Sequence, residues 1–535
     1  MKKVSDVVIT IGVFLSLLTL GFFLLMRSIW IFVDQAIKLP GGIAFTGLLT
    51  GILLGAVIFF LFVIGMRTYT KKKLNMLPIK ILTYVFLFID ALSLILNVYL
   101  YLQMGSIRYE VIRELGFALP YIAAAVIVLF LTLVYPNSRL CRNGWFRALI
   151  ILLVAGTSMY MIFDFGRVRI TSGPILQEVD QDTLAVLWTT NVESTTEVSY
   201  GGDPEKLITV YEEEDGLLQA NTRLHKVLLN ITDMDEVYYF VRSRRIKQLY
   251  QNYASYGNTI VSPLIHYKNQ LEKDKVTFYI LNDVHGNQKI YKNFLTGNTY
   301  DFVVSNGDAV EVAEDFEAMT KKFLSPFGSY TEHNKLLYFV RGNHETRGAA
   351  ARSLKEYLAL PKDRYYYTFQ AGPVYAIVLD SGEDKLDNHE EYSGLVDFKS
   401  YKEEETKWLE QVLASEEYKA ATYRIALIHM PLNSYLEQKE EDYLKTNETA
   451  WRSMLSEAGI DAAFSGHTHT SLLLQPEDYD AAFPTVIGGG SAWEGEEYLA
   501  VRVEATSQQM IISYEDGNGN RKEVIQLRPK QEVTR

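Results

Sequence analysis

Cysteine is almost missing: the chain of 535 residues contains one, Cys141. It falls within the N-terminal membrane-like block of residues 1–166, so the polar remainder can build neither a disulfide nor a thiolate metal site. That shortage is neutral about compartment in a bacterial host and weighs against a typical eukaryotic secreted ectodomain, which is usually stapled by disulfides. Also lacking is any stripe of clustered Lys and Arg. Residues 1–166 hold 14 Lys and Arg against 6 Asp and Glu, and the rest holds 38 against 58. Binding to a phosphate backbone depends on clustered cations, so no nucleic acid is expected as partner. Histidine is scarce too, at nine residues, which makes its placement informative.

The length exceeds one ordinary core and suggests several domains. Five apolar windows, at about 7–33, 42–66, 79–103, 116–135 and 145–163, are each long enough to cross roughly 30 Å of hydrocarbon as a helix. The connection from Arg67 to Lys80 holds five basic residues and no acid, and the connection after 135 holds Arg139, Arg142 and Arg147. The other two connections mix signs. The positive-inside rule then places the "MKK" start and these two connections in the cytoplasm, and an odd number of spans delivers everything after Phe163 to the outside. The first window is too long for a signal peptide and lacks a small-residue cleavage site, so it reads as a retained anchor in contact with membrane lipid. Asp90, near the middle of the third window, reads either as a packing residue or as an intramembrane functional carboxyl.

From Gly173 the pattern changes to short alternating runs, "GPILQEV", "TLAVLWTTN", "TEVSYGG", "RLHKVLLN" and "EVYYFVRSR". Period-two alternation with frequent turns predicts a β-sandwich over 167–263. The order of its "VLWTT", "SYG" and "YYF" strands resembles the fibronectin-type N-terminal domain of purple acid phosphatases. Trp188 and Tyr238 are expected in its core, and its role is to space and orient the next domain.

Beyond Lys275, buried strands alternate with amphipathic helices, and polar clusters follow the strands: "VTFYILNDVHGN", "YDFVVSNGDAVE", "KLLYFVRGNHET", "YRIALIHMP" and "IDAAFSGHTHT". Ligands of open α/β sheets collect at carboxyl ends of strands, and five of the histidines fall there. Carboxylate, imidazole and amide oxygen without thiolate suit two divalent ions such as Mn, Fe or Zn. The candidates are too many for one tetrahedral zinc. Asp308, after "NG", is the natural bridging carboxylate for a metal pair.

The ordered set D-x-H, G-D-x-x-E, G-N-H-E, a lone histidine after a strand and G-H-x-H is similar to the calcineurin-like metallophosphoesterase signature, over roughly 276–527 of this chain. The resemblance implies a four-layer α/β/β/α sandwich over 264–528, followed by a short tail at 529–535. It implies that Asp283, His285 and His469 hold one ion, that Asn343, His429 and His467 hold the other, and that Asp308 bridges them. A hydroxide bridging the metals would attack a phosphoester in line, with His344 as acid toward the leaving oxygen. Glu345 either holds the His344 imidazole or serves as an acid in the first turn of a helix read from "ETRGAAARSLKEYLAL".

Where purple acid phosphatases carry an iron-binding tyrosine, three residues after the bridging Asp, this chain has Glu311, so divalent rather than ferric metal is expected. The charged segment 381–402 reads as a rim over the metals, and its acids disfavour polyanionic substrates. The sequence leaves phosphomonoester and phosphodiester open. The expected whole is a membrane-anchored, extracytoplasmic phosphoesterase acting on envelope or lipid-linked substrates. The alternative is a membrane sensor that binds a phosphorylated ligand.

Overall fold

The computed structural model describes residues 85, 88, 167–250, 253–269, 274–435, 442–490 and 497–529. The five apolar windows lie outside the described residues apart from Val85 and Phe88, as does the tail from 530. Among the described residues no helix is long and apolar enough to cross a membrane. The chain divides into two compact units, 1–168 with 244–259, and 169–243 with 260–535. The second unit carries the site.

Its first part is an antiparallel β-sheet region. The strands Ile170–Asp180, Thr183–Ser194 and Thr222–Asn230 pair in one set, and Ile208–Tyr211, Glu197–Gly201, the Glu236–Tyr250 strand and Ile265–Lys268 in another. Alternation explains the core: Leu184, Val186 and Trp188 point one way and meet Val198, Tyr200, Val227 and Tyr239, all buried. Trp188 is satisfied as a core indole should be, donating from Nε1 to Ser243 Oγ at 2.9 Å and stacking on His225. Tyr238 is only half-buried and stacks on His266, so the core expectation holds for the tryptophan alone.

The part from Lys275 on contains two sheets. In the first, the parallel strands Lys275–Leu281, Phe302–Asn306 and Leu336–Val340 sit beside the antiparallel Ala500–Thr506, Met510–Glu515 and Arg521–Leu527. The second runs Tyr367–Ala371, Val374–Leu379, Tyr423–Ile428, Ala462–Ser465, Thr485–Ile487 and Leu472–Leu474. The apolar runs that predicted these strands are buried almost to the last residue. Aromatic contacts fill the space between the sheets: Phe278 stacks on Phe302, and Tyr338 stacks on Phe369 of the opposite sheet with centroids 3.7 Å apart. Burying each such ring is worth roughly 1.5–3 kcal/mol.

Helices cover the outer faces. Gln288–Leu295 contributes Ile290, Tyr291 and Phe294 to the core of the first sheet, while Leu409, Trp451 and Leu455 pack on Ile377, Ala426 and Ala463 of the second. The latter side chains come from Phe398–Ala414 and Tyr443–Ala458, whose starts are fixed by Asp397 and Asp442 accepting from backbone N–H groups. The arrangement is helix, sheet, sheet, helix.

The two parts share a sheet: Leu176 pairs in parallel register with Leu336. Next to it, Glu178 is buried and accepts from the Tyr338 hydroxyl. Burial pushes its carboxyl up to about 7. Because the folded pKa lies above the ordinary value, Glu178 favours folding at acid pH, and that contribution is lost as pH rises from about 4.5 through about 7, by roughly 3 kcal/mol. Glu178→Gln keeps the shape without the titration. Its melting temperature should match wild type at pH 4.5 and exceed it by on the order of 5 °C at pH 8; parallel profiles would refute the assignment.

Candidate metal centre

Every predicted ligand sits at the carboxyl end of a strand. Asp283 and His285 follow Lys275–Leu281, Asp308 follows Phe302–Asn306, and Asn343 follows Leu336–Val340. His429 follows Tyr423–Ile428, and His467 with His469 follow Ala462–Ser465. Potential ligand atoms of Asp283, His285, Asp308 and His469 lie within 4.8 Å of one another, as do those of Asp308, His429 and His467. Asp308 is common to both groups. Asn343 Oδ1 is 3.2 Å from His467 Nδ1, which brings the amide to the second group. His467 and His469 therefore do not converge on one point, since His469 Nε2 turns instead to His285 Nε2 at 3.2 Å.

The backbone makes this convergence possible. Asp283, His285, Asp308, His467 and His469 have φ of 50°, 47°, 53°, 67° and 55°, the left-handed region that side chains rarely adopt. The N–H groups of Asp283 and His285 go to the Gly307 and Asp308 carbonyls, and that of Asp308 to Glu345, while that of His467 turns into the site. His467 N–H lies 3.0 Å from both Asp283 carboxylate oxygens, and His344 N–H donates to Asp308 Oδ1 at 3.0 Å. Gly342 is glycine for a local reason: a Cβ there would stand 2.2 Å from Asp308 Oδ1.

The donor set fits cations. His429 Nδ1 faces the Asn306 carbonyl at 2.9 Å and so carries its proton there. Its buried Nε2 stands 3.0 Å from Asp308 Oδ2, and although burial opposes it, the charge of Asp308 pushes the imidazole up to about 10, so that in the absence of metal a proton occupies the gap. Two lone-pair atoms at that distance repel unless a proton or a metal ion stands with them. Burial, with Asp308 alongside, pushes the Asp283 carboxyl up to about 7, so the site as folded has more carboxylate than it can keep ionised without added positive charge.

Glu345 does not hold the His344 imidazole. It is fully buried, and its carboxylate accepts from the N–H groups of Asp308 at 2.9 Å, Val310 at 3.2 Å and Gly342 at 2.8 Å. It ties the Asp308 loop to the Asn343 loop. The His344 ring is held instead by the Glu311 carbonyl, 2.6 Å from Nδ1, which turns Nε2 toward Asp308 Oδ2 at 3.9 Å. Nor does Glu345 open a long helix. It lies in the short 3-10 turn His344–Thr346, and Gly348, at φ 96°, separates that turn from the 3-10 helix Ala349–Tyr357.

Three residues of the site were not singled out as participants by sequence. Glu311 Oε2 lies 2.9 Å from His285 Nδ1, an outer partner that orients a candidate ligand. Arg347 Nη1 is 3.5 Å from His344 Nε2, and its guanidinium is forked on Glu383, with bonds of 3.2 and 2.9 Å. Arg347 lies three positions past His344, which is a usable signal. Glu383 lies 36 positions further on and belongs to the expected rim, which does come to the His344 side through this pair. His389 in the same segment caps a turn, accepting from Glu391 N–H at 3.3 Å.

The family model for calcineurin-like phosphoesterases matches residues 276–471. Among curated proteins, the chain is similar to serine/threonine-protein phosphatase CPPED1 of Mus musculus, 28% identical over 180 residues, and of Rattus norvegicus, 26% identical over 180. Each match covers 33% of this chain and 54% of the relative, so the chain spans about half the length of the curated relatives it matches. Among solved structures, a predicted phosphoesterase from Streptococcus pneumoniae TIGR4 matches at 12% identity and a TM-score of 0.24, covering 47% of this chain and 96% of that one. Phosphopantetheinyl hydrolase from Mycobacterium tuberculosis matches at 13% identity and a TM-score of 0.27, covering 39% of this chain and 88% of that one. With all five strand-end motifs gathered around one buried cluster, and with that match, residues 276–471 are a calcineurin-like phosphoesterase domain.

Proposed function

We propose that the chain is a membrane-anchored, extracytoplasmic phosphoesterase with two divalent ions, Mn, Fe or Zn. The observation that carries the hydrolytic reading is the sharing of Asp308 between two groups of candidate ligands, with His344 beside them. Asp283, His285 and His469 would hold one ion, Asn343, His429 and His467 the other, with Asp308 between. Such a pair, when bound, supplies Lewis acidity toward the phosphoryl oxygens and lowers the pKa of water.

The protein's own groups do the rest. His344 is anchored through Nδ1 to the Glu311 carbonyl and exposes Nε2 to the centre, where as imidazolium it would hand a proton to the departing oxygen. Arg347, 3.5 Å from that nitrogen, places positive charge next to the same position. Glu345 fixes the separation of the loops on which Asp308 and Asn343 ride.

The anchor rests on the five apolar windows and the outward placement on their flanking charges, as does an envelope or lipid-linked phosphoester as substrate. A fibronectin-type identity for residues 167–263 rests on strand order and on the antiparallel region around Trp188. The test is to load the purified chain with Mn and assay p-nitrophenyl phosphate beside bis-p-nitrophenyl phosphate. Hydrolysis of either, abolished by a chelator and restored by metal, is expected. Metal-loaded protein that turns over neither would sink the proposal, and a reporter fused after Phe163 that works only in the cytoplasm would refute the outward placement.

A further inference from the structure

A cavity of about 440 Å3 opens beside the loop that carries Asn343 and His344, since Arg341 at the start of that loop and Thr346 at its end both line it. Arg341, Arg352, Lys355 and Arg364 bring four cations to its wall, against one acid, Asp397. That reverses the balance of the chain from 167 on, 38 basic residues against 58 acidic.

Internal pairing accounts for only part of this charge. Arg341 is paired with Asp380, and Lys355 Nζ lies 3.5 Å from Asp363. Among the described residues, Arg352 reaches only the Leu395 carbonyl at 3.4 Å, and Arg364 lies over the Tyr366 ring at 5.5 Å. Neither partner is an anion. Arg341 Nε is buried without a hydrogen-bond partner. The Asp397 carboxylate is engaged as a helix cap, accepting from Ser400 N–H at 3.2 Å.

We infer that this cavity binds an anionic group of the phosphate or carboxylate class. Guanidinium groups suit such oxygens because their N–H forks match them in pairs. The group is either the second acid of a doubly charged phosphoester whose scissile phosphorus sits at the metal centre, or free phosphate. The first source rests on the phosphoesterase reading and the second does not.

The binding test therefore avoids catalysis. Calorimetric titration of the metal-free full chain with inorganic phosphate should show a site that weakens with salt. The Arg352→Ala, Arg364→Ala double variant should lose about tenfold or more in affinity, the loss expected for charge-assisted bonds. The Arg352→Lys, Arg364→Lys variant should keep most of it. Unchanged affinity in the alanine variant overturns the inference, whether or not the enzyme hydrolyses anything. With metal restored, KM for phenyl phosphate and 4-carboxyphenyl phosphate separates the sources. A preference for the carboxylated ester that vanishes in the alanine variant places the anion on the substrate, and equal KM values with phosphate binding intact place it in free phosphate.

Discussion

Asp308→Asn is expected to lose bound metal and to lower turnover by at least about 10²–10³-fold, the scale of removing one preorganised electrostatic contact. The carboxylate is common to both groups of ligand atoms and lies 3.0 Å from His429 Nε2. A neutral amide there keeps the volume and one oxygen but removes the charge that two cations would share. Asparagine also tolerates the left-handed backbone at this position, where φ is 53°. The fold should therefore survive, and the loss can be assigned to the site. Elemental analysis and kcat on the same preparation decide the matter. A variant that retains two ions and wild-type turnover would remove Asp308 from the centre.

His344→Ala should behave differently, keeping its metal while kcat falls by about 10²–10⁴-fold. The ring joins His285 and Glu311 in a third group of possible ligand atoms, apart from the two groups that share Asp308, and its Nδ1 is committed to the Glu311 carbonyl. A proton donor matters most when the departing oxygen is basic. The variant should thus be least impaired on p-nitrophenyl phosphate and progressively worse on esters of more basic alcohols. A plot of log kcat against leaving-group pKa should be steeper for the variant than for wild type. Parallel plots would mean that His344 stabilises charge without giving up a proton.

The candidate ligands were legible in sequence because each stands within a few residues of the apolar run that becomes its strand, as with "YDFVVSNGD" ahead of Asp308. The two-sheet arrangement was expected from the family resemblance alone. What escaped was partner choice between distant loops. Glu345 is adjacent to His344 in sequence, yet its oxygens take N–H groups from Asp308 and Val310, 37 and 35 positions away. The Arg347–Glu383 fork spans 36 positions. Neither pairing has a periodicity to betray it, and only the folded loops bring the groups together. The helix read after Glu345 failed because summed propensity outweighed one residue, Gly348, whose extended backbone at φ 96° and ψ 172° breaks the run. The join of Leu176 to Leu336 was equally invisible, since both strands read as complete in their own sheets.

Five of the seven candidate ligands occupy left-handed backbone, each at about 1–2 kcal/mol above the right-handed alternative. That cost is borne when the sheets form, before any ion arrives, so an incoming ion meets donors already aimed. Metal affinity then becomes a gauge of how firmly the strand ends are held. A substitution far from the centre, in the Phe302–Tyr338–Phe369 stack between the sheets, would loosen those turns and weaken metal binding while touching no ligand at all.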